Sequence, residues 1–316
     1  MLTHKNDRKA WLYLLVPLIL MTIFTFYPVI NTLLIAFNNF DSSTMVQNPF
    51  IDEFFTNGFG SRWGFFNFRQ IFAPHSTLRY NLVNTLILVF ISVPLSVTVS
   101  LLIAVGINSI KPFKKFFQIV FFLPYVTNSL AIGMVFAIIF RSGTGGLINS
   151  IFGLDQFWLA PPSIVFGSPH WWRAILALQI YTLWDSLAFR ILVFIGALQN
   201  VSKQYYDAAK IDSTPRWRVL RRITIPLISP VILFIFITSF IGAFRTYDSI
   251  VGLFGDNWGQ TAHITTIVGF IYRQIEIGIS EPSAYAYGAA AAVVLLVIIM
   301  FFTFINLTLS KRLVHY

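Results

Sequence analysis

The 316 residues are 56% hydrophobic and 11% charged, with a mean hydropathy of +0.73 and a formal net charge of +10. A soluble domain carries about a quarter charged residues, so this composition requires an apolar solvent. The chain has no cysteine, which excludes disulfides and Cys-ligated metals, and its basic residues sit in short segments between apolar runs, which argues against a nucleic-acid partner.

After the basic segment Met1–Ala10, the first apolar run predicts a helix over Trp11–Phe37. It is too long for a signal-peptide core and has no small-residue cleavage site, so it reads as a retained span. Further runs of about 20 apolar residues, long enough to cross roughly 30 Å of hydrocarbon, predict helices over Leu82–Ile107, Phe116–Phe140, Ala174–Leu198, Leu227–Ile250 and Ala284–Leu309. The expected class is an all-α integral membrane protein with six transmembrane helices. The runs are continuous rather than alternating, which excludes a β-barrel. Pro17, Pro28, Pro94, Pro124, Pro226 and Pro230 fall inside or at the edges of these spans, where a bundle tolerates kinks if neighbours satisfy the freed backbone groups.

The distribution of Lys and Arg sets the expected orientation. The N-tail (Lys5, Arg8, Lys9), the second connection (Lys111, Lys114, Lys115), the fourth (Lys203 through Arg222) and the C-tail (Lys311, Arg312) together hold fourteen basic residues against three acids. The opposite side holds six basic residues, Arg62, Arg69, Arg79, Arg141, Arg173 and Arg273, against seven acids. Both termini are therefore expected in the cytoplasm. The external connections, about Asn38–Asn81, Arg141–Arg173 and Val251–Ser283, are long and aromatic. Their tryptophans, Trp63, Trp158, Trp171, Trp172 and Trp258, are read as interfacial anchors, with a docking surface for an external partner as the alternative.

The fourth connection runs Tyr205-Tyr206-Asp207-Ala208-Ala209-Lys210-Ile211-Asp212-Ser213-Thr214-Pro215 and ends Ile223-Thr224-Ile225-Pro226. It predicts a short helix, a break at Asp212–Thr214, and a second, basic helix with Thr214 as N-cap and Pro215 in its first turn. These residues resemble the EAA loop of the permease subunits of ATP-binding-cassette importers: Glu-Ala-Ala, three residues, Gly, nine residues, and a hydrophobic-x-Pro ending. Asp207 stands where the glutamate would, and Ser213 replaces the glycine. If that position takes φ > 0, the serine is expected to carry strain of order 1 kcal/mol.

The resemblance extends along the chain through Tyr13-Leu14-Leu15-Val16-Pro17, Tyr27-Pro28, Asn67-Phe68, Asn84-Thr85, Phe122-Leu123-Pro124, Trp158-Leu159 and the Asp248 region, which are similar to carbohydrate-type permeases. It implies a type I ABC importer permease fold with a cytoplasmic coupling helix. On this reading residues 1–81 form an N-terminal transmembrane helix with a long external loop. Residues 82–316 then form the core permease domain, with the EAA-like loop at 203–226. The resemblance also implies a second related permease, two ATP-binding-cassette ATPases, an external substrate-binding lipoprotein, a sugar substrate, and a multi-pass place in the bacterial cytoplasmic membrane. No Gly-x-x-x-x-Gly-Lys-Ser/Thr loop occurs in the sequence, so ATP and Mg belong to a partner and no cofactor is expected on this chain. His4, His75, His170, His263 and His315 are scattered across loops and tails and suggest no metal site.

Coupling to the ATPase is assigned by resemblance to Tyr206, Asp207, Ala208, Ala209, Asp212 and Ser213, with Arg216, Arg218, Arg221 and Arg222 nearby; these arginines are read first as orienting the chain or meeting anionic lipid. Polar groups at membrane depth are costly, about 2.5–3.5 kcal/mol for Arg or Asp on insertion scales. The polar residues of the fourth and fifth spans, Arg190, Arg245 and Asp248 among them, are therefore pore candidates. Positions similar to the sugar-contacting ones of maltose importers are Thr182, Asp185, Ser186, Phe189, Ser239, Ala243 and Thr246. The competing view of Asp185 is a structural ion pair with Arg190, and of Asp248 an i,i+3 pair with Arg245. An anionic substrate, such as a glycerol phosphate, is the alternative if Arg190 and Arg245 face the pore. An ion-coupled secondary transporter is the alternative of another class.

Overall fold

The computed structural model describes residues 7–38, 63–110, 114–159, 166–255 and 263–313. Its helices are α1 (Asp7–Met21), α2 (Tyr27–Phe37), α3 (Phe66–Ile71), α4 (Leu78–Ser109), α5 (Lys114–Val126), α6 (Ser129–Ile139), α7 (Leu147–Phe152), α8 (Pro169–Asn200), α9 (Lys203–Ile211), α10 (Arg216–Val219), α11 (Ile225–Leu227), α12 (Ser229–Phe244), α13 (Asp248–Phe254), α14 (Ile267–Gly278) and α15 (Pro282–Leu313). Among the described residues extended pairing is limited to one isolated bridge, Asn38 to Trp63. Four helical runs are long and apolar enough to cross a membrane, Tyr13–Phe37, Leu78–Ser109, Pro169–Asn200 and Ser283–Thr308, and two bent helix pairs bring the number to six where each pair counts as one span.

The chain folds as two compact units. The first comprises Met1–Leu78 and Phe270–Leu296. Leu14, Leu15, Ile19 and Phe24 in its first span are exposed, as suits a helix whose solvent is lipid. α1 and α2 are joined by a π-helical turn, Thr22–Phe26, and a second such turn, Leu220–Thr224, joins α10 to α11 in the other unit. Each ends two residues before a proline, Pro28 or Pro226. The widened turn accommodates a ring that cannot donate to, and would clash with, the carbonyl four residues back. Asn67 Nδ2 donates to Ala36 O (3.0 Å) and Asn38 O (2.7 Å), closing the C-terminal end of α2.

The second unit comprises Arg79–Gly269 and Val297–Tyr316. α8 begins at Ser168-Pro169: the serine side chain accepts from Trp171 N (3.3 Å), and the proline occupies the first turn, where its missing N–H costs nothing. The span expected at Phe116–Phe140 is two helices, α5 and α6, bent by 98°. Asn128, in an extended conformation, interrupts it and caps α6 by accepting from Leu130 N (2.8 Å). The expected Leu227–Ile250 helix is likewise broken. α11 and α12 lie at the end of a stretch bent by 73° at Ile228, and Asp248 starts a separate helix, α13. α6 and α13 cross backbone to backbone: a Cβ built on Gly133 would lie 2.7 Å from Gly252 Cα, a small-residue contact common between membrane helices.

The tryptophans depart from the anchor reading. Trp171 is buried and donates from Nε1 to His263 O (3.2 Å), and half-buried Trp158 donates to Asn149 Oδ1 (2.9 Å); both belong to the α6–α8–α13 core. A buried indole needs a partner for its N–H, and that of Trp171 lies ninety-two residues away, where the sequence does not reveal it. Trp63 and Trp172 are exposed, and Trp258 lies outside the described residues. Asn84 Nδ2 donates to His263 O (2.7 Å) and Thr265 O (3.0 Å), and Thr85 Oγ1 accepts from Ile267 N (3.0 Å), so this pair positions the start of α14.

Candidate functional site

Residues 182, 185, 186, 189 and 190 recur at helical spacing, so α8 presents them on one face. That face lines a chamber of about 410 Å³ inside the second unit. α12 and the turn after it contribute Ser239, Ala243 and Thr246. All six polar or aromatic positions expected at the substrate site, Thr182, Asp185, Ser186, Phe189, Ser239 and Thr246, are thus brought together.

Its lining also includes Tyr125, which the sequence reading did not put in the site, and Arg190, which that reading named as a pore candidate. Tyr125 reaches it from α5 and stacks on Phe189, ring centroids 5.6 Å apart at 25° between planes. The bend between α5 and α6, invisible in a continuous apolar run, leaves Tyr125 near the end of its helix. Arg190 donates from Nε to Ser239 Oγ (2.8 Å) and from a terminal nitrogen to Ser186 O (2.9 Å). It makes no hydrogen bond to Asp185, although the two charges act on one another. The half-buried Asp185 carboxylate is left facing the chamber as an acceptor for hydroxyl donors.

At the chamber wall, Ser92 Oγ lies 2.6 Å from Gln179 Oε1, and Gln179 Nε2 donates to Ile87 O (3.2 Å), tying α4 to α8. Thr182 and Ser186 hydroxyls bond back to carbonyls of their own helix, Leu178 O (2.9 Å) and Leu183 O (2.9 Å), leaving lone pairs for an incoming donor. Arg245 and Asp248 are exposed, do not line the chamber and do not pair with each other. The arrangement can stack a ring against Phe189 and Tyr125 while a carboxylate, hydroxyls and a guanidinium meet its polar edge.

The loop Lys203–Pro226 is a second surface. α9 ends in a Schellman motif: Thr214 N donates to Ala209 O (2.9 Å), Ser213 N donates to Lys210 O (3.0 Å), and Ser213 takes φ +50°. The serine in the glycine position is therefore held in the left-handed region. Ala209 is buried, whereas Asp207, Ala208, Asp212 and Ser213 are exposed. Tyr206 Oη lies 3.3 Å from Thr224 Oγ1, joining α9 to the π-helical turn. Asp207 pairs with Lys210 at 2.8 Å, a bond that, with the charges of Lys210 and Lys203, holds its carboxyl below the usual carboxylate range. Thr214 is not the expected N-cap. Pro215, extended at ψ 144°, caps α10 with its carbonyl, which accepts from Arg218 N and Val219 N.

The family described as "Binding-protein-dependent transport system inner membrane component" matches residues 70–315. The lactose transport system permease protein LacF of Rhizobium radiobacter is 27% identical over 274 residues, 84% of this chain and 83% of LacF. The probable ABC transporter permease protein MG188 of Mycoplasma genitalium is 32% identical over 216 residues, 67% of this chain, and the chain spans 63% of that relative. In fold, the chain matches a crystal structure of a bacterial ABC transporter involved in the import of the acidic polysaccharide alginate, with a TM-score of 0.76, 21% identity and 98% coverage of both chains. The chain belongs to the family of binding-protein-dependent transport system inner-membrane components and has the fold of an ABC importer permease.

Proposed function

We propose that this chain is one of two membrane-spanning subunits of a binding-protein-dependent importer, passing a sugar or oligosaccharide through the α8–α12 chamber. The observation that carries this reading is that Asp185, Ser186 and Phe189 on α8 face Ser239 and Thr246 around one cavity. Sugar recognition requires this combination of hydroxyl-bonding groups beside an aromatic face. LacF and other sugar-transport permeases among the relatives support the substrate class. An anionic substrate is weaker. Arg245 is outside the chamber, and Arg190 already donates to Ser239 and Ser186 beside the negative Asp185.

On this proposal a second permease, two ATPases carrying ATP and Mg, and an external binding lipoprotein complete the machine. The termini and the 203–226 loop face the cytoplasm, and the exposed face of α9, with Asp207, Ala208, Asp212 and Ser213, docks on an ATPase. Tyr206 and Ala209 hold that helix in place. The N-terminal span and its external loop act as an appendage to the core formed by residues 82–316.

The test is uptake into vesicles carrying the assembled complex, with neutral oligosaccharides and glycerol phosphate as parallel substrates. Sugar uptake that requires both ATP and the binding protein is expected. Uptake driven by an ion gradient without ATP would sink the proposal.

A further inference from the structure

The first unit contains a cleft of about 260 Å³ that shares no lining residue with the α8–α12 chamber. One wall is the end of α3 and the segment leading to α4, with Gln70 and His75; the other is α14 and the start of α15, with Arg273, Gln274 and Tyr287. α14 is held close to α15 here: a Cβ on Gly288 would lie 3.1 Å from Gln274 Cβ, and Tyr285 covers Gly278. The cleft is therefore a built feature of packed helices.

Its lining is chemically lopsided. Arg273 is half-buried, and no acid lines the cleft. Among the described residues, neither the Arg273 guanidinium nor the side chains of Gln70, Gln274 and Tyr287 have a hydrogen-bond partner in the chain. Glu276, one turn further along α14, is exposed and does not pair with Arg273. Half-buried donors that converge without partners call for an external acceptor, and a guanidinium fork flanked by amides and a phenol fits a phosphodiester.

The position selects the source of that phosphate. The segment before α4 and the first turns of α15 are where two membrane spans begin, Leu78–Ser109 and Ser283–Thr308, so the cleft sits at an end of the apolar stretch. Ile71 and Ile277 supply its apolar floor, and Phe72, Ile275 and Ile279 are exposed in the same segments. A group with a phosphate head and acyl chains satisfies both. We propose that this cleft is a binding site for the headgroup of an anionic phospholipid, with Arg273 as its principal phosphate ligand. The inference requires the chain to be membrane-embedded; it does not depend on the transported substrate or on which terminus faces the cytoplasm.

The test is native mass spectrometry of the purified full-length chain titrated with phosphatidylglycerol, phosphatidylcholine or inorganic phosphate. One retained phosphatidylglycerol is expected, bound in preference to phosphatidylcholine and not displaced by inorganic phosphate. Arg273→Gln should weaken its retention about tenfold, the size of one lost charge-assisted hydrogen bond, and Arg273→Lys should weaken it less. Should Arg273→Gln fail to fold, Tyr287→Phe, which removes one hydroxyl, should still weaken retention measurably. Equal phosphatidylglycerol retention in wild type and these variants would overturn the proposal, as would displacement by inorganic phosphate. So would unchanged lipid retention accompanied by loss of binding-protein association, which would assign the cleft to a protein carboxylate.

Discussion

Arg190 Nε donates to Ser239 Oγ at 2.8 Å, and this single bond joins α8 to α12 across the chamber wall. It engages the guanidinium that the sequence reading weighed as an ion-pair partner for Asp185. It also ties together the two helix faces that line the chamber.

A double-mutant cycle on Arg190→Met and Ser239→Ala measures that link. Hydrogen bonds between membrane helices average about 0.6 kcal/mol and reach roughly 1.7, and the charged donor places this one toward the upper end. A coupling near 1 kcal/mol is expected in unfolding of the purified chain. Strict additivity would show that the contact contributes nothing.

Asp185 has no direct partner to orphan, so its removal should spare assembly and basal ATPase activity. Asp185→Asn keeps volume and part of the hydrogen-bonding capacity, whereas Asp185→Leu loses both. Uptake at limiting sugar should fall in that order, with Leu down by about tenfold or more, corresponding to one hydrogen bond to a charged group. Unchanged uptake in a well-assembled Asp185→Leu complex would remove this residue from the site.

Ser213 sits at φ +50° where the loop's turn favours glycine. Ser213→Gly should raise thermal stability by a few tenths to about 1 kcal/mol, because relief of the left-handed penalty exceeds the added freedom of the unfolded chain. The β-branched Ser213→Val should lower it. A stability loss in the glycine variant would mean that the serine side chain makes a contribution larger than its strain.

Ala208 is exposed on α9 while Ala209 is buried. Ala208→Trp should therefore leave the loop folded and the chain inserted but abolish substrate-stimulated ATPase activity in the complex. Ala209→Trp should instead destabilise the loop itself, by about 1–3 kcal/mol from overpacking. Full stimulation in the Ala208→Trp complex would rule out docking through this face.

The Cys-free sequence permits a direct topology measurement. Ser213→Cys is exposed, so an impermeant thiol reagent should label it in inverted vesicles and not in intact cells. Labelling from outside would reverse the orientation inferred from the basic residues.

Composition and the length of the apolar runs alone determined a six-span helical membrane protein, because hydrocarbon admits no other way to satisfy a backbone crossing it. Pro215 also located the break at Asp212–Thr214, and the EAA-like pattern the strained position of Ser213, since turn geometry is a local property. The 98° bend at Asn128 and the separation of α13 from α12 were not legible, as a broken span and a straight one have the same hydropathy. The burial of Trp171, the packing of Trp158 against the same core and the stacking of Tyr125 on Phe189 were likewise decided only by the fold. The same holds for Arg190's choice of Ser239 over Asp185, forty-nine residues apart against five. Such contacts depend on which helix faces pack, and a sequence with one apolar solvent all around records the spans far better than the faces.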